Sequence, residues 1–219
     1  MNEITRDMGA SLENGKSDQD GSDFITKMRS YRIRFPLVLV FALLGPKIAA
    51  AQFVVFPRSG QLVSPDRRFA VRSEDRSGPA ADFVGTFHSL WLTESATGRS
   101  RKLCDYMGAA AVAWSGNDYV IVTQYVGRRT SRALLFDRNH PDDALIFDKS
   151  AMLGFGAAEL RASLQENDHV FIEASRIEGK TLHLRVWGYG QHDPNGFRWH
   201  CEYALAEGTA RCTADSSSR

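Results

Sequence analysis

Side chains that could carry chemistry are concentrated in one stretch of the chain, residues 187–200. Its sequence, WGYGQHDPNGFRWH, combines aromatic rings, two histidines, an aspartate and an arginine around a turn. Exposed aromatic rings stack on sugar faces or anchor a partner protein, which makes the stretch a candidate ligand-binding region. The candidate residues are Trp187, Tyr189, His192, Asp193, Arg198, Trp199 and His200.

A structural interpretation of the same stretch is also open. In it, Trp187 and Trp199 are cross-strand partners in the core, and the loop between them is a solvated connector. Alternation along the preceding strand is compatible with the binding interpretation. Positions 182, 184 and 186 are aliphatic, whereas positions 183, 185 and 187 are His, Arg and Trp. A strand with this pattern has one apolar face and one amphipathic face.

Sequence motifs of catalysis are absent. The chain has no Gly-x-Ser-x-Gly elbow, no His-Glu-x-x-His, no phosphate-binding glycine loop and no dinucleotide fingerprint. It also lacks Cys-x-x-Cys and His-x-x-x-His spacings. We therefore predict no catalytic residue, no cofactor and no metal site. A hydrolase built from His183, His192, Asp193 and His200 is kept as an alternative, since catalytic groups can come together from distant strands.

Residues 28–51 have the three parts of a secretory signal peptide. Arg29, Arg32 and Arg34 form a basic region, residues 36–44 form a short apolar run, and three alanines precede Gln52. The apolar run is too short to span a membrane as a helix. We expect cleavage after Ala51 and a periplasmic or secreted protein. Residues 1–27 are predicted to be a disordered extension, or to lie upstream of a true start at Met28.

The remaining chain, residues 52–219, has the length of a single domain. Basic and acidic residues are balanced, 27 against 26 in the whole sequence. This balance argues against a nucleic-acid partner, which would require a basic face. We also expect no membrane span after cleavage of the signal peptide.

Export would place the cysteines in an oxidising compartment, where disulfides persist. Cys201 and Cys212 flank a predicted hairpin. With a two-residue turn at Glu207-Gly208 they would be diagonal neighbours on one face, within reach of a bridge after some adjustment. A three-residue loop would place them on opposite faces. The Cys201–Cys212 disulfide is therefore a candidate that depends on turn length, and Cys104 is left unpaired.

The chain repeats a phrase three times at intervals of about 50 residues, as repeated supersecondary units do. A polar turn ending in Asp66, Asp118 or Asp168 runs into an aromatic or His residue and then an apolar, strand-like segment. Most other segments alternate with period two, and Thr97-Gly98 and Glu178-Gly179 read as hairpin turns. We predict three β-units, at about residues 60–106, 110–148 and 166–213. One helix is predicted near residues 150–165, where Leu153, Leu160 and Leu164 share a face.

Residues 64–66 with 68–71, and residues 113–120, resemble the WD40-like repeats of TolB-type β-propellers. Arg67 stands where that family usually has glycine. The resemblance implies that each Asp begins the turn between the first two strands of a blade. It also implies a scaffold or binding platform, and no catalytic residues transfer from it. Three units are fewer than the four to eight blades of closed propellers. We therefore expect a mostly β protein with three blade-like antiparallel sheets, as a partial propeller or a sandwich-like array.

The leading functional prediction is a non-enzymatic module that binds or scaffolds another envelope or extracellular protein. The alternatives are a carbohydrate-binding module using Trp187, Tyr189 and Trp199, or the hydrolase described above. The observations behind the leading prediction are the export signal, the β-repeats, the abundance of aromatic residues and the absence of catalytic motifs.

Overall fold

A computed structural model describes residues 52–76 and 87–215 of the chain. The predicted signal peptide at 28–51, its cleavage point after Ala51 and the upstream segment 1–27 lie outside the described residues. In the part that is described, no helix is both long and apolar enough to cross a membrane.

The described residues form thirteen strands and two short helices, which confirms the mostly β class. The strands are β1 Val54–Phe56, β2 Gln61–Val63, β3 Phe69–Asp75, β4 Phe87–Glu94, β5 Ser100–Met107, β6 Ala110–Ser115, β7 Tyr119–Val126, β8 Thr130–Asp137, β9 His140–Phe147, β10 His169–Glu178, β11 Thr181–Tyr189, β12 Phe197–Ala204 and β13 Thr209–Ala214. The helices are α1 Lys149–Leu153 and α2 Ala158–Glu166.

The strands are connected as three successive antiparallel meanders of four strands each, β2–β5, β6–β9 and β10–β13. We call them the first, second and third units. Two of the hairpins turn through Gly98 and Gly179, whose φ angles of +70° and +60° suit glycine. The three units therefore comprise residues 61–107, 110–147 and 169–214, in chain order.

The prediction of three separate sheets is wrong, because the second and third units share one sheet. The start of β8 pairs in parallel with β10 at Thr130 and Val170, while the rest of β8 pairs with β9. The Ser131 hydroxyl reinforces this junction, since it donates to the Ile172 carbonyl at 3.0 Å and accepts from the Ile172 amide at 2.9 Å. With β1 added beside β6, the result is a nine-stranded sheet and a separate four-stranded sheet.

The second unit has buried side chains on both of its faces. Along β7, Val120 and Val122 belong to a core cluster shared with the first unit, whereas Ile121 belongs to a cluster shared with the helices and the third unit. Strands that are covered on both faces are nearly continuously apolar, as the sequence of β7 is. The second unit therefore packs against the first unit on one face and against the helices and the third unit on the other.

The predicted helix near 150–165 is divided in two. The Asp148 carboxylate caps α1 by accepting from the Ala151 amide at 2.8 Å, and Gly154 is the C-cap of α1. In α2, Leu160 and Leu164 are fully buried against the third unit, as the helical spacing predicted. Gly156 lies between the helices, and a Cβ there would come within 2.9 Å of Leu160. The break therefore allows α2 to pack closely on the sheet.

The first two copies of the repeated phrase contact each other. Ser64 Oγ donates to Asp66 Oδ1 at 2.7 Å, and the Asp66 amide donates to Asn117 Oδ1 at 3.0 Å. The guanidinium of Arg138, whose side chain is 12% exposed, donates to Asp66 Oδ2 at 2.6 Å and lies 3.6 Å from an oxygen of Asp118. The hydrogen bonds from Ser64 and Arg138 lower the pKa of Asp66 from 3.8 to about 2. The phrase is thus a junction between the first and second units.

Arg67 has a φ of +59° in this turn, the left-handed conformation that glycine adopts most easily. In both of these copies the aspartate lies between two paired strands, β2 and β3 or β6 and β7. The third copy is different, because it lies between α2 and β10. A helix therefore stands where the first two units have a strand.

Candidate functional site

The third unit has one buried face and one face that carries polar and aromatic side chains. Leu182, Leu184 and Val186 of β11 point into the core, together with Cys201 of β12. The residues that alternate with them form what we call the outer face. It comprises His169, Phe171, Glu173, Arg176 and Glu178 of β10, His183, Arg185, Trp187 and Tyr189 of β11, and Arg198, His200 and Glu202 of β12.

Two aromatic pairs cross the outer face between β10 and β11. The rings of Phe171 and Trp187 stack with centroids 4.2 Å apart, and those of His169 and Tyr189 stack at 4.3 Å. Both are directly opposed pairs in the strand register, where cross-strand contact is strongest. Tyr189 is nevertheless 45% exposed. The stacks therefore hold the rings in fixed positions while leaving part of this aromatic surface open to solvent.

A cavity of about 300 Å³ is lined by one of these rings, that of Trp187. Its charged lining residues are Glu173, Arg185, Arg198 and Asp215, and Trp187 and Trp199 supply aromatic walls. Arg185 donates to the Glu173 carboxylate at 2.6 Å, which fixes one guanidinium group at the rim. The cavity is small, since ligand sites commonly measure about 300–1,000 Å³. It can accept a side chain of a partner or a single small polar molecule.

The structure separates the seven predicted ligand-binding residues into three groups. Trp187, Tyr189, Arg198 and His200 lie on the outer face. Trp199 lies opposite Val186 and packs partly buried against the core, and it lines the cavity together with Trp187. His192 and Asp193 lie in the loop between β11 and β12.

The loop residues hold the third copy of the repeated phrase in place. The buried side chain of Asn167 donates to Asp193 Oδ2 at 2.7 Å and accepts from the Asp193 amide at 3.1 Å. His192 Nδ1 lies 2.7 Å from Glu166 Oε2. A Cβ at Gly190 would come within 2.6 Å of Asn167 Oδ1. Asp193 therefore has a structural contact that accounts for its position.

Two histidines and a carboxylate come together elsewhere on the outer face. His183 Nδ1 lies 3.2 Å from His200 Nε2, and Glu202 Oε1 lies 3.9 Å from each of these nitrogens. Burial, followed by the charge of Arg176, lowers the pKa of His183. Sequence reasoning missed this cluster because its members come from two strands and are 17 residues apart at their closest ring contact. The outward alternation of His183 was the available signal.

The four residues of the hydrolase alternative do not form one cluster. His183 and His200 face each other, whereas His192 and Asp193 contact Glu166 and Asn167. His183 also lies six residues before the end of β11, or roughly 20 Å along the strand from the loop. A shared catalytic centre for these four side chains is therefore not supported by the contacts of the described residues.

The disulfide joins Cys201 and Cys212, which lie directly opposite each other on β12 and β13. They are not the diagonal neighbours that a two-residue turn would give. The last strand pair is Ala204 with Thr209, so four residues form the loop and the register shifts accordingly. The bridge lies on the core side and ties the edge strand β13 to β12, which carries Arg198, His200 and Glu202.

Comparisons of the chain with protein-family models, with curated proteins and with solved structures found no significant match. The described residues themselves define the class: a mostly β protein of three four-stranded units with one amphipathic sheet face.

Proposed function

We propose that this chain is an exported, non-enzymatic module that binds another protein of the periplasm or the extracellular space. The signal-peptide pattern at 28–51 motivates the location, and the Cys201–Cys212 disulfide suits an oxidising compartment. We further propose that the three units are blade-like repeats of the TolB type. The equivalent positions of Asp66 and Asp118 between the first two strands of their units support that relationship.

The binding surface in this proposal is the outer face of the third unit. The observation that carries it is the composition of this face, where Trp187, Arg185 and Arg198 line the cavity and Tyr189 lies two positions beyond Trp187 on β11. Trp, Tyr and Arg are the residue types that dominate the binding energy of protein interfaces. The cross-strand stacks already order two of the rings, so binding would cost little further side-chain entropy.

The partner is tested by capture from the native envelope with wild-type protein and matched variants. Tyr189→Ala and Arg198→Glu alter the outer face, and Arg101→Glu alters an exposed arginine of the first unit. We expect one specific partner whose affinity falls about 30-fold in the outer-face variants, as for a hot-spot loss of about 2 kcal/mol. Arg101→Glu is expected to bind normally. Equal capture by all proteins, or no specific partner, would reject the proposal.

A second candidate is recognition of a saccharide in the same cavity. It is favoured by the arrangement of an aromatic wall with guanidinium and carboxylate groups, which can stack on a sugar ring and hydrogen-bond its hydroxyls. Phe171 already covers one side of the Trp187 ring, so one side is left for a sugar. Binding on a glycan array that is lost in Trp187→Ala would support this candidate, and a silent array would remove it.

A further inference from the structure

We propose that His183, His200 and Glu202 form a site for one divalent transition-metal ion of the zinc class. The three residues lie on adjacent strands of the outer face, with His183 opposite Glu202 and His200 two positions earlier on β12. Their ligand atoms all lie within 4.8 Å of one another. Imidazole nitrogen and carboxylate oxygen are the donors that zinc and its neighbours in the transition series accept.

The spacing of the donor atoms suits such an ion. Zinc bonds of about 2.0–2.1 Å in a tetrahedral arrangement place neighbouring ligand atoms about 3.4 Å apart. The two histidine nitrogens are already 3.2 Å apart. The Glu202 oxygen is 3.9 Å from both, so it needs to move inward by about 0.5 Å. That movement is easy, because the Glu202 side chain is 54% exposed.

The contact between the two histidine rings indicates that their facing nitrogens share a proton or a metal ion. Two facing ring nitrogens at 3.2 Å need either one proton or one metal ion between them, since two N–H groups would repel each other. The strand pairing holds both rings in this arrangement, and they stack with centroids 5.3 Å apart. The geometry is therefore set by the sheet and exists before an ion binds.

Groups around the cluster supply the outer contacts that metal-bound histidines commonly have. His183 turns its second nitrogen, Nε2, toward Glu178 Oε2 at 3.4 Å. Glu178 is in turn held by Arg176, whose Nε donates to it at 2.6 Å. A carboxylate on the far side of a ligating imidazole orients the ring and strengthens it as a ligand. This chain of contacts is an observation independent of the three donors.

The charges nearby are compatible with a cation. Three arginines surround the site, but Arg176 is paired with Glu178 and Arg185 with Glu173. Arg211, the third arginine, lies opposite Glu202 in the strand register, so a carboxylate faces it as well. His200 and Glu202 are 34% and 54% exposed, so water can reach the ion and complete its coordination. Three protein ligands with an open position form a site that can exchange its ion with solution.

The test is a zinc titration of the protein by isothermal calorimetry after treatment with a chelator. We expect one zinc ion per chain. Replacing a donor by His200→Gln or Glu202→Gln is expected to weaken binding at least about 10–100-fold, the range that outer-contact changes already reach. Glu178→Gln is expected to weaken binding by about 10-fold. His140→Gln, at a histidine 72% exposed in the second unit, is the matched control and should leave binding unchanged.

A second readout identifies the ligands directly. Four-coordinate Co²⁺ absorbs visible light far more strongly than aqueous Co²⁺, so the cobalt-loaded wild type should gain this absorption and the His200→Gln variant should not. Circular dichroism of each variant shows that the fold is kept. No zinc binding by the wild type, or equal binding by the wild type and the His200→Gln and Glu202→Gln variants, would overturn the site. Neither result bears on partner capture, because those variants leave Tyr189 and Arg198 in place.

Discussion

Removing the disulfide with Cys201→Ala/Cys212→Ala should destabilise the domain by an amount that the chain connectivity sets. The two cysteines are 11 residues apart in sequence. In the chain-entropy treatment, closing a loop of that length removes about 9 cal/mol/K from the unfolded chain, which is about 2.8 kcal/mol at 25 °C. Cys201 is also fully buried, and deleting its sulfur leaves a small cavity. We therefore expect a loss of about 3 kcal/mol.

Urea unfolding followed by tryptophan fluorescence measures this loss. The variant should unfold at a lower urea concentration and with a larger denaturant slope, because its unfolded chain is less compact. For a domain of this size the midpoint temperature should fall by about 6–12 °C. Wild-type protein unfolded in the presence of a reductant, without blocking of the thiols, should show the same loss. A change below about 0.5 kcal/mol in both comparisons would refute the reasoning.

Three further predictions concern other parts of the domain. The contribution of Asp66 to stability should be constant above about pH 4 and be lost between about pH 4 and 2, because Asp66 must protonate against its lowered pKa. Asp66→Asn should therefore flatten the acid unfolding curve in that range. The Cys104 thiol, whose pKa burial raises to about 12, should react with a thiol reagent at pH 8 only after unfolding. Gly188→Ala should cost about 3 kcal/mol or more in urea unfolding, because the new Cβ would overlap the His169 carbonyl.

Each of these has a result that contradicts it. An unchanged acid slope in Asp66→Asn would mean that another carboxylate controls unfolding in this range. Rapid reaction of Cys104 in the native protein would show that its thiol is accessible and ionised. The control for Gly188→Ala is Gly60→Ala, where a Cβ would meet no atom within 4 Å and the change should stay within about 0.5 kcal/mol. Equal effects at both glycines would contradict the steric argument.

Local features of this fold were predictable from the sequence. Alternation along β11 correctly separated the aliphatic core side from His183, Arg185 and Trp187, because side-chain direction in a strand has a period of two. The hairpins at Gly98 and Gly179 followed from glycine's tolerance of positive φ. These features depend on a few neighbouring residues, which is why reasoning from the sequence reached them.

Features that depend on register or distant pairing were not predictable. The parallel contact between Thr130 and Val170 joins segments 40 residues apart, and no local pattern specifies it. The four-residue loop before Thr209 sets the cysteine register, whereas the sequence suggested a loop of two or three residues. The histidine cluster was missed for the same reason. Its formation depends on how β12 aligns with β11 after a seven-residue loop, residues 190–196.

The central claim is that the outer face of the third unit binds a partner protein, and site-specific photo-crosslinking in native cells tests it most directly. The crosslinking amino acid replaces Tyr189, which is 45% exposed on β11, or Val63, which is 41% exposed on β2 of the first unit. The account predicts one discrete protein adduct from position 189 and none from position 63. No adduct at position 189, or the same adducts from both positions, would contradict it.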